Sequence, residues 1–216
     1  MAIRNIIFDF DGTLADTAKG IIATEREVLR TLGLPQQTDA QICSAIGLPL
    51  AQSLSRGALI PDGLLDEAVV LYRKFFNELA PKHIVIFDGV KDTLEYFRAQ
   101  GIRLAIATSR SSNSLSMILN THGIAGFFET MLAADAGIRP KPAPDMVLTL
   151  LERMGIDAAD TLVVGDTTFD LEMGAGAGCR TAGVTYGNHS REQLLSVSPD
   201  WIIDGFDELK DIVSNN

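Results

Sequence analysis

The sequence predicts an α/β protein: a doubly wound parallel sheet, with a small helical domain inserted after its first strand. Three observations predict it. Short apolar runs alternate with amphipathic stretches along most of the chain, which is the pattern of βαβ units. One stretch, from Asp16 to about Lys82, breaks that alternation and holds no convincing strand. The residues with chemistry to offer follow directly after apolar runs, where open α/β sheets carry their active sites. With 216 residues and 46% apolar content, the chain suits one compact domain plus a small insertion.

The elements follow in order. Residues 3–8 read as a buried strand that ends in Ile6, Ile7 and Phe8. Residues 16–82 read as the inserted domain, leaving 1–15 and 83–216 as the core. Within the insertion, Ala18, Ile21, Ile22, Val28, Leu29 and Leu32 share one helical face. Leu65, Ala68, Val69, Tyr72, Phe75, Phe76 and Leu79 form a longer stripe. Gly33, Pro35, Gly47, Pro49, Pro61 and Gly63 punctuate the region, so three to five helices are expected, with linkers near 15–17 and 82–88. Further strands are expected at 103–107, 130–133, 161–164, 180–184 and 201–203. Between them, Val90, Leu94 and Phe97 repeat at helical spacing, as do Leu115, Ile118 and Leu119, and Val147, Leu150, Leu151 and Met154. The run Gly174-Ala175-Gly176-Ala177-Gly178 ends a helix and its third glycine is misplaced for a dinucleotide loop, so it reads as close helix–sheet packing.

The first strand runs into Asp9-Phe10-Asp11-Gly12-Thr13. Residues i and i+2 on extended backbone point the same way, so Asp9 and Asp11 can face one substrate. One would serve as nucleophile or metal ligand, the other as acid/base. Asp and Gly are also ordinary turn residues, and Thr13 could cap a helix. Thr108 and Ser109 follow a strand, and Ser111 and Ser112 open a helix. Hydroxyls and amides at a helix N-terminus can cradle phosphate, or simply cap the helix. Lys141 lies between Pro140 and Pro142 on a stiffened segment. Asp166 and Asp170 lie four apart around a helix start, on one face if that turn is helical. Collected with Asp9, they would make a hard-oxygen site suited to Mg²⁺; either could instead be a helix cap. His83, His122 and His189 show no ligand spacing and receive no role, and Tyr186 and Trp201 read as packing residues.

This ordered set, DxDGT, a Thr ending a strand, Lys in KPxPD, then GDxxxD, resembles the haloacid dehalogenase superfamily over residues 9 to 170. The resemblance implies a Mg²⁺-dependent phosphatase with a Rossmann-like core and a helical cap. It implies that Asp9 attacks phosphorus to form an aspartyl-phosphate. Asp11 would protonate the leaving alkoxide and then take a proton from the hydrolytic water. That role calls for a proton on Asp11 when substrate binds, a state that a neighbouring carboxylate and desolvation favour. Thr108, with Ser109 beside it, would bind phosphoryl oxygen, and Lys141 would balance charge. Mg²⁺ would be held by the side chains of Asp9 and Asp166, the backbone carbonyl of Asp11, and Asp170 directly or through water. In the cap, Gly47 and Pro49 shape a loop that could insert over the site, or form a plain turn. Arg56 and Arg73 are the cap cations that could meet a substrate carboxylate.

Within the superfamily, the second carboxylate speaks against dehalogenases and phosphonate hydrolases. The mutase branch typically reads Glu-Asp where this chain has Gly165-Asp166. Gly183 to Gly187 and Ser190-Arg191-Glu192 look most like phosphoglycolate phosphatases, although many of those carry Asn-Lys where this chain has Ser109-Arg110. The expected substrate is therefore a small phosphorylated metabolite, with 2-phosphoglycolate first. A sugar-phosphate mutase of the β-phosphoglucomutase kind and a pyrophosphatase are the alternatives. A non-catalytic binding domain would need a broken catalytic position, and none is broken.

The net charge of −10 and pI near 4.7 argue against a nucleic-acid partner. Acidity fits an anionic substrate only if a divalent cation shields the clustered carboxylates. Cys43 and Cys179 are too few for a disulfide framework and fit no zinc pattern. No apolar run reaches membrane-spanning length and no signal-peptide pattern opens the chain, so a cytoplasmic protein is expected.

Overall fold

A computed structural model describes residues 2–215, so Met1 and Asn216, the outermost residues of the expected core, lie outside it. The first strand, β1 (Asn5–Phe8), is buried along its whole length. Side chains alternate across a strand. Ile6 and Phe8 accordingly join one hydrophobic core and Ile7 the other, on the opposite face of the sheet. A strand covered on both faces reads as an unbroken apolar run, which is why it was legible.

The chain then enters β2 (Ala15–Asp16) and four helices: α1 (Ala18–Thr31), α2 (Asp39–Cys43), α3 (Leu50–Arg56) and α4 (Leu65–Leu79). It returns through β3 (Val85–Ile86), which pairs antiparallel with β2. Val28, Leu29, Leu54, Ala58, Ile60 and Ala68 give the helical insertion a small core of its own. The two-stranded ribbon corrects the sequence reading, which placed plain linkers there. Two residues per strand leave no periodicity to detect.

After α5 (Val90–Ala99), strands and helices alternate: β4 (Arg103–Ala107), α6 (Ser112–Thr121), β5 (Thr130–Leu132), α7 (Asp145–Met154), β6 (Thr161–Gly165) and α8 (Thr168–Gly176). The chain closes with β7 (Arg180–Val184), α9 (Arg191–Leu195), β8 (Trp201–Ile203) and α10 (Leu209–Ser214). The strand order is β5-β4-β1-β6-β7-β8, and every pairing in this sheet is parallel. This is the doubly wound fold expected. β1 starts at Asn5 instead of residue 3, because its neighbours start there: Asn5 aligns with Arg103 and Thr161. β5 ends at Leu132, one residue early, and β6 extends to Gly165. Gly174 lets α8 lie close to the sheet, since a Cβ there would come within 2.7 Å of Val163. No helix among the described residues is long and apolar enough to cross a membrane.

Candidate active site

The carboxyl ends of β1, β4 and β6 lie side by side, and the candidate residues emerge from them. Asp9 continues β1, its backbone N–H donating to Val164 O at 2.9 Å. Its side chain is buried, with Oδ1 2.5 Å from Lys141 Nζ and Oδ2 without any hydrogen-bond partner. Lys141 is fully buried and reaches Asp170 Oδ1 at the same distance. Asp170 Oδ2 accepts from Thr167 N (3.1 Å) and Oγ1 (2.7 Å), closing a capping box at the start of α8. Asp166 Oδ2 accepts from Asn188 N (2.7 Å) and Nδ2 (2.8 Å), and its Oδ1 accepts from Thr13 Oγ1 (3.2 Å). One oxygen each from Asp9, Asp166 and Asp170 lie within 4.8 Å of one another.

The way Asp166 and Asp170 meet differs from the helical-face expectation. Thr167 caps α8 in extended conformation, so Asp166 precedes the helix and Asp170 is its third residue. The turn from strand to helix, and not a shared helical face, brings them together. Two glycines make room for Asp166. A Cβ on Gly12, which sits at φ +86°, would lie 2.1 Å from Asp166 Oδ2, and one on Gly187 would lie 2.2 Å from Asp166 Cβ.

Electrostatics mark the cluster as short of positive charge. Burial pushes the Asp9 carboxyl well above the usual range; Lys141 opposes this, while Asp170 and Asp166 reinforce it. Burial, with the charge of Asp170, pushes Asp166 up to about 7. Burial works against the Lys141 ammonium, but Asp170 and Asp9 outweigh it and raise its pKa. One ammonium faces three carboxylates, one oxygen is orphaned, and all donors are hard oxygens. That set fits a divalent cation of the Mg²⁺ kind.

Beside this cluster, Asp11 has a partner that the motifs did not announce. The Arg110 guanidinium forks onto both carboxylate oxygens, with Nε 3.0 Å from Oδ2 and Nη2 on Oδ1. Thr17 Oγ1 donates to Oδ1 at 2.6 Å. The sequence reading gave Asp11 only carboxylate neighbours, and had noted Arg110 merely as a departure from a family pattern.

The hydroxyl-rich loop after β4 also differs in part. Thr108 is buried, and its Oγ1 accepts from Arg110 N at 3.1 Å, which leaves its own proton free to donate. Ser109 Oγ donates to Gly47 O at 2.6 Å, so its hydroxyl ties the helical insertion to the loop after β4. Ser112, expected to help cradle phosphate, gives both its N–H (3.1 Å) and its Oγ (2.6 Å) to Asp135. A carboxylate already caps that helix.

A cavity of about 780 Å³ opens between insertion and sheet. Asp9, Asp11, Thr108 and Arg110 line its floor; Gly47, Tyr72, Arg73 and Phe76 line its roof. Arg56 is not among the lining residues. It ends α3, and its carbonyl accepts from Gln41 Nε2 at 2.8 Å. His189, given no role, accepts from Thr168 N through Nδ1 at 3.1 Å and so helps set the start of α8. Burial lowers its pKa, which suits a neutral acceptor. Tyr186 donates to Thr13 O at 3.0 Å and packs against Phe87.

Comparison with known proteins gives the family. Residues 6–184 match the family model described as haloacid dehalogenase-like hydrolase. The chain belongs to the haloacid dehalogenase-like hydrolases. It is 39% identical over 208 residues to a probable phosphatase, IndB, of Dickeya dadantii, covering 94% of this chain and 90% of that protein. It is 31% identical over 219 residues to a phosphoglycolate phosphatase of Vibrio vulnificus, covering 98% and 96%. A crystal structure of a haloacid dehalogenase-like hydrolase from Bacteroides fragilis superposes with a TM-score of 0.91 at 28% identity, over 96% of this chain and 99% of that one. The chain is an enzyme of the phosphatase branch of this family, phosphoglycolate-phosphatase-like in sequence.

Proposed function

We propose that the protein is a Mg²⁺-dependent phosphomonoesterase that hydrolyses a small phosphorylated metabolite through an aspartyl-phosphate, with 2-phosphoglycolate as the leading substrate. One observation carries the reading. Asp9 is a buried carboxylate with one oxygen on Lys141 and the other unpartnered, on the floor of a cavity shared with Asp11 and Thr108.

An Asp9 oxygen attacks phosphorus, and the bond from phosphorus to the leaving oxygen breaks. Asp11 gives that oxygen its proton. Water then attacks the aspartyl-phosphate, Asp11 takes a proton from it, and Asp9 and inorganic phosphate are released. The Thr108 hydroxyl donates to a phosphoryl oxygen, and Lys141 holds Asp9 in place while offsetting negative charge. Asp9, Asp166 and Asp170, with the Asp11 carbonyl, would hold Mg²⁺; Asp170 does so directly or through water. When bound, the ion supplies positive charge to the transferring phosphoryl group. Residues 16–82 act as a cap over the core formed by 1–15 and 83–216. Free Cys43 and Cys179 suit a reducing cytoplasm, and the acidic chain suits no nucleic-acid partner.

The test is phosphate release from p-nitrophenyl phosphate and 2-phosphoglycolate, after chelation and after adding back each ion. Mg²⁺ should restore activity and Ca²⁺ should restore little, because its larger, looser shell misplaces the phosphoryl group. Full activity in chelator overturns the reading.

A further inference from the structure

We propose that Arg110 selects substrates carrying a second anionic group, and that its contact with Asp11 is a latch which that group releases. The proposal rests on the phosphatase reading above, which gives Asp11 the proton transfer.

Every nitrogen of the Arg110 guanidinium is engaged. Nε and Nη2 fork onto Asp11, and Nη1 donates to Ser114 Oγ at 2.8 Å. With Thr17 on Oδ1 as well, both Asp11 oxygens are committed. A guanidinium offers N–H donors and no acceptor. Oδ2 keeps a second lone pair, but the fork holds the carboxyl group in one orientation, so a leaving oxygen meets Asp11 with Arg110 already on it. An anion that takes Arg110 away frees the carboxyl group to turn.

Arg110 is held for such an exchange. Its side chain is only 7% exposed. The guanidinium lies 4.7 Å from the ring centre of Phe76, on the roof helix, and 5.9 Å from that of Phe10. These aromatic faces stabilise the cation without using its N–H groups. Its backbone is pinned on both sides, by N–H to Thr108 Oγ1 and by Ala134 N–H to its carbonyl at 2.9 Å. Breaking the fork thus leaves Arg110 on the cavity floor, two residues from the group assigned to the phosphoryl oxygens. A leaving group that projects past Thr108 passes Arg110. A carboxylate two bonds beyond the bridging oxygen replaces one forked ion pair with another of the same kind, and Asp11 comes free. A neutral leaving group has nothing to exchange, so it reacts only when the fork opens unaided and turns over more slowly.

The closest isosteres differ only in that anion: 2-phosphoglycolate against ethyl phosphate as substrates, and 3-phosphonopropionate against propylphosphonate as non-hydrolysable ligands. Wild-type protein should prefer the carboxylate member of each pair. In Arg110→Gln, the kcat/KM preference for 2-phosphoglycolate should fall about tenfold or more, the scale of one lost charge-assisted contact. Part of that change should come from faster turnover of ethyl phosphate once the latch is gone. Calorimetry should show the same fall in the affinity ratio of the phosphonates, and Arg110→Lys should restore part of it. Equal losses within each pair, or ratios unchanged from wild type, overturn the proposal. The phosphonate arm keeps the two readings distinguishable. If wild-type protein hydrolyses no phosphomonoester, the functional reading fails, and the ligand ratios still decide what Arg110 selects.

Discussion

Asp9 and Glu25 are both buried carboxyls, and their surroundings give them different duties. Asp9 has Lys141 on one oxygen and a free second oxygen above the cavity floor. Asp9→Asn keeps the shape and removes the nucleophile. Phosphate release should fall to background while the thermal midpoint holds or rises, because one of three crowded charges is gone; substantial turnover in the folded variant would falsify the covalent route. Glu25 lies inside the helical insertion, fully buried on α1, with Ser53 Oγ 3.3 Å from Oε1 and nothing on Oε2. Burial pushes its carboxyl from an ordinary 4.5 up to about 8, against the pull of the Ser53 hydrogen bond. Between those values the folded protein holds a proton that the unfolded chain has released. Stability contributed by this group is therefore fully present below pH 4.5 and declines as pH rises toward 8, by on the order of a few kcal/mol. Glu25→Gln mimics the protonated form at every pH. Its thermal midpoint should exceed that of wild type at pH 8 and converge with it near pH 5. Parallel melting profiles for the two proteins would show that Glu25 does not titrate in that window.

The loop between α2 and α3 is the element on which the insertion's proposed contribution as a cap turns. Gly47 takes φ +96°, its carbonyl receives Ser109 Oγ, and a Cβ there would sit 3.2 Å from Thr167 Cγ2. The loop is thus docked against the segment that carries Asp166 and Asp170. Gly47→Ala adds a left-handed penalty of about 1–2 kcal/mol and crowds Thr167. The expected result is a roughly tenfold lower kcat/KM for a small substrate that needs closure. A bulky aryl phosphate, which gains less from the cap, should lose less. Equal loss on both substrates would make the loop a plain structural turn. Much of this architecture was legible in the sequence because its signals are local. Strands buried on both faces read as apolar runs, helices of the insertion as stripes, and Asp9, Lys141, Asp166 and Asp170 as spaced motifs. What escaped depends on partners distant in sequence. Arg110 finds Asp11 across 99 residues, and Ser109 finds Gly47 across 62. Asn188 finds Asp166 across 22. Nothing near the hydroxyls at 109 and 112 in sequence shows that a loop carbonyl and Asp135 receive them.

At the scale of the whole molecule, the phosphoryl group of the proposed intermediate either passes to water or returns to a sugar. About 780 Å³ is ample for a small metabolite, so volume alone admits both chemistries. Charge separates them. A mutase must hold a bisphosphate in two orientations, which calls for a strong anion site at the roof as well as the floor. Among the described residues lining the cavity, the roof offers Arg73 as its cation, while Arg56 does not line the cavity. The floor, by contrast, carries Arg110 and Asp9, with Lys141 and the rest of the acidic cluster suited to a metal buried behind Asp9. On the proposed mechanism, an intermediate formed on Asp9 has Asp11 beside it to activate water. Inorganic phosphate should therefore appear stoichiometrically from a phosphomonoester, carrying one labelled oxygen when the reaction runs in ¹⁸O-water. β-Glucose 1-phosphate supplied with a bisphosphate primer should give free glucose or no reaction, without build-up of glucose 6-phosphate. Isomerisation that outruns phosphate release in that assay would promote the mutase reading, and would require the roof to hold a second phosphate through Arg73.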